Sequence, residues 1–285
     1  MGVCRATWPL YTRAVRERLR PGVWLPVSRR AVLAAAAACC VLGTTPVTPL
    51  AHVAVPAGGD ESRTRTPAER QRADPGSVST APTTHPLVAL TFDDGPDPDY
   101  TPEVLTILRR YAVPATFFVV GANAAAHPEL LARIRAEGHA VANHTQNHRW
   151  LDELTQAQVR AELTLGGRHV DGPGAGLYRP PRGWTSPLVA QAGRDLGLRP
   201  IFWSDCVEAH FDLGARGAGR RVGYFAEPGS IILAHDGGSV DGPNAQRVDR
   251  SRSVAALPHL IEKLQKRSLT PVTVPQLLSV SRTAQ

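Results

Sequence analysis

The chain contains few cysteines for its length. Of the four cysteines among 285 residues, three lie within the first 40 residues and only Cys206 follows them. A lone cysteine cannot form an internal disulfide, which excludes the disulfide framework that holds many small exported domains together. The chain is long enough to bury a sizeable hydrophobic core, and we expect that core, together with any bound metal, to stabilise the fold.

Long apolar runs are also missing. The run at residues 34–43 is far shorter than the ~20 apolar residues of a membrane-spanning helix, so we expect no transmembrane anchor. Ser28, Arg29 and Arg30 precede it, and paired arginines before a short, weakly hydrophobic segment are typical of a twin-arginine export signal. We therefore predict that residues 1–57 are an export signal and that the protein is secreted or associated with the cell envelope. A lipid anchor at Cys39 is a weaker alternative.

The remainder of the chain has little net charge. The whole chain carries +7, but residues 1–57 contain seven arginines and one glutamate, which leaves a net charge of only +1 for residues 58–285. Domains that bind nucleic acid usually concentrate positive charge on one face. We therefore expect no nucleic-acid partner.

Residues 58–85 have almost no apolar side chains and are rich in Gly, Glu, Arg, Thr, Pro and Ser. Such a segment cannot bury enough apolar surface to offset the entropy lost on ordering, so we predict a disordered linker. We expect a single folded domain at residues 86–285.

Within that domain, short β-type runs alternate with helical patterns. The run at residues 87–92 is followed by Thr101 and Pro102, a typical helix start, and a capping box at Thr155 and Gln158 opens a later helix. The alternation continues to residues 272–274. A repeated βα pattern predicts a parallel sheet or a barrel.

Polar side chains follow four of the predicted strands. They are Asp93 and Asp94, the segment 144–148, Arg179, and His235 with Asp236. In βα folds the chemistry collects at the carboxyl ends of the strands. We therefore expect these four clusters to meet at one rim.

Histidines and carboxylates in these clusters suit a metal site. His144 and His148 are spaced i, i+4, so on a helical turn both imidazoles would face the same side. Adjacent strand residues point to opposite sides, so one of Asp93 and Asp94 can bind a metal while the other acts as a base. Two histidines and one carboxylate leave open coordination positions, as in catalytic sites. The alternatives to a metal site are structural or merely exposed histidines, and carboxylates that cap a turn.

Four motifs in order resemble those of the polysaccharide deacetylases, carbohydrate esterase family 4. They are Thr91-Phe92-Asp93-Asp94-Gly95-Pro96, Asn143-His144-Thr145-Gln146-Asn147-His148, Arg179-Pro180-Pro181-Arg182-Gly183 and Leu233-Ala234-His235-Asp236. The resemblance implies a distorted (β/α) barrel of about seven strands and the metal-dependent removal of N-acetyl groups from a peptidoglycan or chitin-like polymer of N-acetylglucosamine. It also implies an acetylated polysaccharide as the partner, a monomer, and a divalent metal. We expect Zn²⁺, with Co²⁺, Ni²⁺ or Mn²⁺ as alternatives.

The resemblance also implies a role for each site residue. Asp94, His144 and His148 would bind the metal. The catalytic set would be Asp93 as general base, Arg179 as its ionic partner, and His235 as the acid that protonates the leaving amine.

Three further residues are candidates for substrate binding. The resemblance implies that the backbone N–H of Arg182 contacts the oxyanion and that Leu233 contacts the acetyl methyl group. Trp184 lies beside a motif and is expected to stack on a sugar ring.

Two departures from the family's pattern stand out. Arg182 occupies a position where the family usually has tyrosine. The fourth motif, Asp-x-x-Asp-Trp, falls on Cys206, Ala209 and His210, so the acid that would tune His235 is missing from its usual place. Three nearby acids could replace it, namely Asp205, Glu208 and Asp212.

Two other functions stay open at this point. An esterase acting on O-acetyl xylan would use the same site. The missing acid favours a third alternative, a catalytically weakened glycan-binding protein.

Overall fold

The computed structural model describes residues 76–238 and 247–282. Eight strands form one sheet: β1 (Leu87–Asp93), β2 (Thr116–Val119), β3 (Ala140–Asn143), β4 (Leu177–Tyr178), β5 (Arg199–Pro200), β6 (Asp205–Cys206), β7 (Ile231–His235) and β8 (Thr270–Val272). The helices are α1 (Thr101–Tyr111), α2 (Gly121–Ala126), α3 (Pro128–Ala136), α4 (Gln156–Gly167), α5 (Pro187–Asp195), α6 (Gly214–Phe225), α7 (Ser251–Lys266) and α8 (Val274–Arg282). Short 3-10 helices span Leu151–Glu153, Gly172–Gly174, Pro181–Gly183 and Val207–Leu213.

All the paired strands run parallel, in the order β5-β4-β3-β2-β1-β7-β6. The eighth strand, β8, pairs with the first residues of β1. Among the described residues no strand pairing joins β5 to β6, so the curled sheet stays open there. The predicted α/β fold, a distorted (β/α) barrel, is confirmed, with seven strands in one continuous path and an eighth beside it.

β1 is almost continuously buried because it lies at the centre of the sheet, with neighbouring strands on both sides and packed side chains on both faces. Alternate side chains point to opposite faces, so Leu90 and Phe92 pack into the core under the outer helices, where Phe92 stacks on Phe117 at 5.0 Å between ring centroids. Ala89 packs in a second core cluster on the other face. Because Asp93 shares the alternation of Ala89, the strand delivers its carboxylate to the inside of the barrel.

The N-terminal boundary of the fold differs from the prediction. Val78 and Ala81 are buried, although residues up to 85 are predicted to be a disordered linker. The backbone of Val78 exchanges hydrogen bonds with Pro200 and Phe202, at 3.1 and 2.7 Å, and the N–H of Ala81 donates to Gly229. Backbone hydrogen bonds and two small apolar anchors order this segment, and composition alone does not reveal them.

Helix α6 pairs closely with α7, although its glycine-rich sequence does not predict a helix. A Cβ atom at Gly219 would lie 2.3 Å from the carbonyl oxygen of Ala256. Only glycine therefore allows this approach of the two helix backbones. The tight contact holds α7 in position. The first turn of α7 and the residue before it, Arg250, reach the carboxyl-terminal ends of the strands.

The predicted export signal at residues 1–57, with Cys39, and the predicted linker up to residue 75 lie outside the described residues. Within residues 76–238 and 247–282, no helix has both the length and the apolar character needed to span a bilayer.

Candidate active site

The four polar clusters meet at the carboxyl-terminal rim of the sheet, as the sequence predicts. β1 ends at Asp93, and its register places Asp93 beside His235, the last residue of β7. His144 directly follows β3, and the N–H of Arg179, which follows β4, donates to the carbonyl of Asn143. Parallel neighbouring strands therefore bring together side chains that are far apart in sequence.

Asp94, His144 and His148 form a buried group that could hold a metal ion. One ligand atom from each lies within 4.8 Å of the others. Nε2 of His148 lies 3.1 Å and Nε2 of His144 lies 3.5 Å from Oδ1 of Asp94. Ligands at about 2.0–2.2 Å from a tetrahedral cation are separated by about 3.3 Å, so these spacings fit a divalent metal.

The tautomer of His144 agrees with this assignment. Its Nδ1 lies 2.8 Å from the carbonyl oxygen of Arg179, which can only accept a hydrogen bond. Nδ1 must therefore carry the proton, and the lone pair of Nε2 faces Asp94 and His148. Burial by itself raises the pKa of Asp94, but its close contacts with His144 and His148 and the nearby charge of His235 outweigh burial and hold the pKa well below its usual value.

The segment that carries the two histidines is an irregular loop, so the predicted helical turn is wrong. Thr145 and His148 have positive φ values of 69° and 54°. Side chains stabilise the loop: Oδ1 of Asn143 accepts from the N–H of Thr145 at 2.8 Å, and Glu162 accepts from the N–H groups of residues 146 and 147. These local hydrogen bonds compete with helix formation and still bring both imidazoles together.

A second arginine, which the sequence does not reveal, orients Asp94. Nη2 of Arg250 donates to Oδ2 of Asp94 at 2.8 Å, and its Nε donates to the carbonyl of Gly237 at 2.9 Å. The guanidinium occupies one carboxylate oxygen and leaves Oδ1 facing the histidines. Arg250 lies 156 residues beyond Asp94 in sequence and directly precedes α7.

Asp93 pairs with Arg179, as the resemblance implies. Nη1 of Arg179 donates to Oδ1 of Asp93 at 2.6 Å, and Oδ2 faces His144 at 3.8 Å from Nε2. Arg179 is fully buried, and it also donates to Oγ1 of Thr91 and to the carbonyl oxygens of residues 201 and 202. Its guanidinium lies 4.0 Å from the ring centroid of Phe118. These contacts hold the arginine in one orientation and leave Oδ2 of Asp93 directed at the group of Asp94, His144 and His148.

His235 lies beside Asp93 at the end of the neighbouring strand, and its acidic neighbour is Glu208. Nδ1 of His235 and Oε1 of Glu208 form an ion pair at 3.1 Å. Burial lowers the pKa of His235, but the attraction of Glu208 outweighs it and raises the pKa above its usual value. Of the three acids left open by the sequence, Asp205 pairs instead with His210 at 3.0 Å, and Asp212 is exposed.

Known proteins resemble both the sequence and the fold. Residues 80–201 match the family model described as polysaccharide deacetylase. A peptidoglycan-N-acetylglucosamine deacetylase of Bacillus cereus is 33% identical over 201 residues, which are 69% of this chain and 90% of the relative. A chitooligosaccharide deacetylase of Sinorhizobium fredii is 39% identical over 196 residues, which are 67% and 91%. The chain belongs to the polysaccharide deacetylase family.

The structural comparison agrees. The crystal structure of a peptidoglycan N-acetylglucosamine deacetylase in complex with 4-naphthalen-1-yl-N-oxidanyl-benzamide superposes with a TM-score of 0.63. It is 28% identical and covers 72% of this chain and 93% of that chain.

The predicted substrate-binding residues of this polysaccharide deacetylase lie in two places. Arg182 has a positive φ of 60° and an exposed side chain whose guanidinium lies 3.6 Å from the ring centroid of Trp150. Trp150 in turn contacts Trp184 edge to face at 5.1 Å, so the three side chains form one stacked group. Leu233 is buried in β7 and lies two residues before His235, on the same side of the strand.

Asp236 is a further buried acid at the rim of this family member. Its Oδ2 accepts a hydrogen bond from Oγ1 of Thr101 at 2.6 Å, at the first residue of α1. Burial raises the pKa of Asp236 to about 7, and the nearby carboxylates of Asp94, Asp93 and Asp97 act in the same direction against the opposing hydrogen bond of Thr101. Asp236 therefore supports the start of α1 while it holds a proton near neutral pH.

Proposed function

We propose that this chain hydrolyses N-acetyl groups of a polymer of N-acetylglucosamine, such as peptidoglycan or a chitin-like glycan, and releases acetate. The observation that carries the proposal is the buried group of Asp94, His144 and His148 beside the Asp93–Arg179 pair. The named activities of the B. cereus and S. fredii relatives support the same substrate class.

Zn²⁺ is the cofactor that we propose for this site. Two imidazoles and one carboxylate are typical ligands of catalytic zinc, although Co²⁺, Ni²⁺ and Mn²⁺ accept the same donors. A divalent cation held by these three residues would supply Lewis-acid activation of water and of the acetyl carbonyl.

The protein's own residues account for the proton transfers. Oδ1 of Asp93 is occupied by Arg179, so Oδ2, which faces the metal ligands, accepts the proton of the attacking water. The amine leaves as a neutral group only if it gains a proton, and His235, at the end of the neighbouring strand, donates it.

Contacts to the substrate follow from the same geometry. The backbone N–H of Arg182 would stabilise the oxyanion. Leu233 would contact the acetyl methyl group, and Trp184, which packs against Trp150, would stack on a sugar ring.

We also propose that the protein acts outside the cytoplasm as a monomer. Peptidoglycan, the substrate named for the B. cereus relative, is a cell-wall polymer, and the paired arginines at residues 29 and 30 predict export.

Acetate release tests this function. The wild type should release acetate from N-acetylglucosamine oligomers, and a chelator should abolish the release. Asp93→Asn should lose at least about 100-fold in kcat with unchanged zinc content, because it removes the base but no ligand.

Three outcomes would contradict the proposal. Release from acetylxylan alone would indicate the esterase. Glycan binding without any acetate release would indicate a binding protein. The missing acid of the fourth motif favoured that alternative, but Glu208 provides an acid in contact with His235. Loss of zinc from Asp93→Asn would mean that the roles of Asp93 and Asp94 are exchanged.

A further inference from the structure

The acid that the family's fourth motif places beside the catalytic histidine is absent, because Cys206 and Ala209 occupy the two acidic positions of that motif. We propose that Glu208, from the next turn of the chain, replaces it as the positioning residue that orients the His235 imidazole and keeps it protonated. This inference rests on the proposed function, in which His235 is the general acid.

The carboxylate of Glu208 is held on both oxygens. Oε1 lies 3.1 Å from Nδ1 of His235 and accepts a hydrogen bond from Oγ of Ser253 at 2.5 Å. Oε2 accepts from the thiol of Cys206 at 3.3 Å. Cys206, at one of the two motif positions that lack an acid, therefore contacts the replacement acid. Since Glu208 engages Nδ1, Nε2 is the ring nitrogen left to deliver a proton.

The local backbone explains why the acid comes from residue 208. β6 ends at Cys206, and the chain turns at once into the 3-10 helix Val207–Leu213. This turn brings Glu208 back toward the end of β7, where only 16% of its side chain is exposed. Ser253 reaches the same carboxylate from the first turn of α7, so two separate elements hold it in place.

The other two candidate acids do not contact His235: Asp205 has other partners, and Asp212 is exposed to solvent. Oδ1 of Asp205 accepts from the backbone N–H of Cys206 at 2.8 Å and lies 3.0 Å from Nε2 of His210. Asp212 is exposed near the far end of the 3-10 helix.

Three charged groups from three elements act on His235. Glu208 and Asp94 favour the imidazolium, whereas Arg250 and burial oppose it. Glu208 is the strongest of the favourable charges. Without its negative charge, burial and Arg250 prevail, and the imidazole becomes neutral in the pH range where the amine must be protonated.

Glu208→Gln in the full, zinc-loaded chain tests this inference, because it removes the charge and keeps the shape. An opposite charge in contact shifts a pKa by about 1–3 units, so the alkaline limb of the kcat profile on N-acetylglucosamine oligomers should move down by at least about one unit. We expect at least about a tenfold loss of kcat near pH 8, with KM and zinc content unchanged. Glu208→Asp, which keeps the charge on a shorter side chain, should restore part of the loss.

Asp205→Asn is the matched control and should leave the kcat profile unchanged. The titration of the His235 ring by NMR, in the same zinc-loaded proteins, measures the coupling without using activity. A His235 pKa and a kcat profile that are the same in Glu208→Gln as in the wild type would overturn the inference, and so would a shift produced by Asp205→Asn instead. If the wild type releases no acetate from any substrate, the proposed function fails, while the NMR titration still decides whether Glu208 controls the charge of His235.

Discussion

Replacement of Arg179 by methionine tests how much one buried cation contributes to the stability of the domain. The substitution keeps an apolar chain of similar length but removes the partner of Oδ1 of Asp93 at 2.6 Å. It also leaves the carbonyl oxygens of Ile201 and Phe202 without the donors that now reach them. Asp93 is only 3% exposed, so water cannot replace the lost contact.

Breaking a buried ion pair by removing one partner costs about 3–5 kcal/mol of unfolding free energy. For a domain of roughly 200 residues, each kcal/mol lowers Tm by about 2–4 °C, so we expect a fall of about 10 °C. Thermal and urea unfolding of the chelator-treated protein measure the loss, because bound metal would add its own stabilisation.

The double variant Asp93→Asn/Arg179→Met is the control. It removes the uncompensated carboxylate charge, so it should be more stable than Arg179→Met alone. A loss below about 1 kcal/mol in the single variant would refute the reasoning, since that is the range of an exposed salt bridge. A double variant no more stable than the single one would show that packing, not charge, dominates at Arg179.

Two further predictions concern Asp94, which we propose as a metal ligand, and Asp236, the further buried acid at the rim. Arg250→Met should lower the affinity for Zn²⁺ by about 10- to 100-fold in calorimetric titration, because partners of ligands contribute about that much. Arg247→Met, which loses contacts to Asp97, Asp99 and the ring of Tyr100, should not change that affinity. Folded Asp236 has a pKa of about 7, compared with 3.8 for an ordinary aspartate, so the contribution of this one group to stability falls as the pH rises from about 4 to 7. In chelator-treated protein, Asp236→Asn should therefore match the wild type near pH 4 and exceed it above pH 7, by at most about 4 kcal/mol in urea unfolding. Equal stability of the two proteins at pH 8 would contradict this assignment.

Local patterns in the sequence predict much of the fold. The α1 start at Thr101 and Pro102 and the capping box of Thr155 and Gln158 are confirmed, because these signals depend only on neighbouring residues. The parallel sheet that the alternation of strands and helices predicts is confirmed too, and so is the distorted barrel that the family resemblance implies. The sequence does not predict α6, because glycine disfavours an isolated helix. The close contact between α6 and α7 stabilises α6 in the folded protein.

Assignments at the site depended on more than local pattern. The i, i+4 spacing of His144 and His148 predicts that the two imidazoles meet, and they do, but on an irregular loop. The spacing could not predict that loop because side-chain hydrogen bonds from Asn143 and Glu162, not helix propensity, determine its backbone.

By itself, the sequence determined the βα order, the strand ends that carry Asp93, Asp94 and Arg179, and the family, because these follow from periodicity and from motifs of a few adjacent residues. Only the tertiary structure decided which acid contacts His235 and which arginine orients Asp94. Glu208 and Arg250 reach those residues because β6, its following turn and α7 pack against β7 and β1, and ion pairs across such distances in sequence depend on how the elements dock. The same docking lets Val78 and Ala81 join a core that their local composition does not predict.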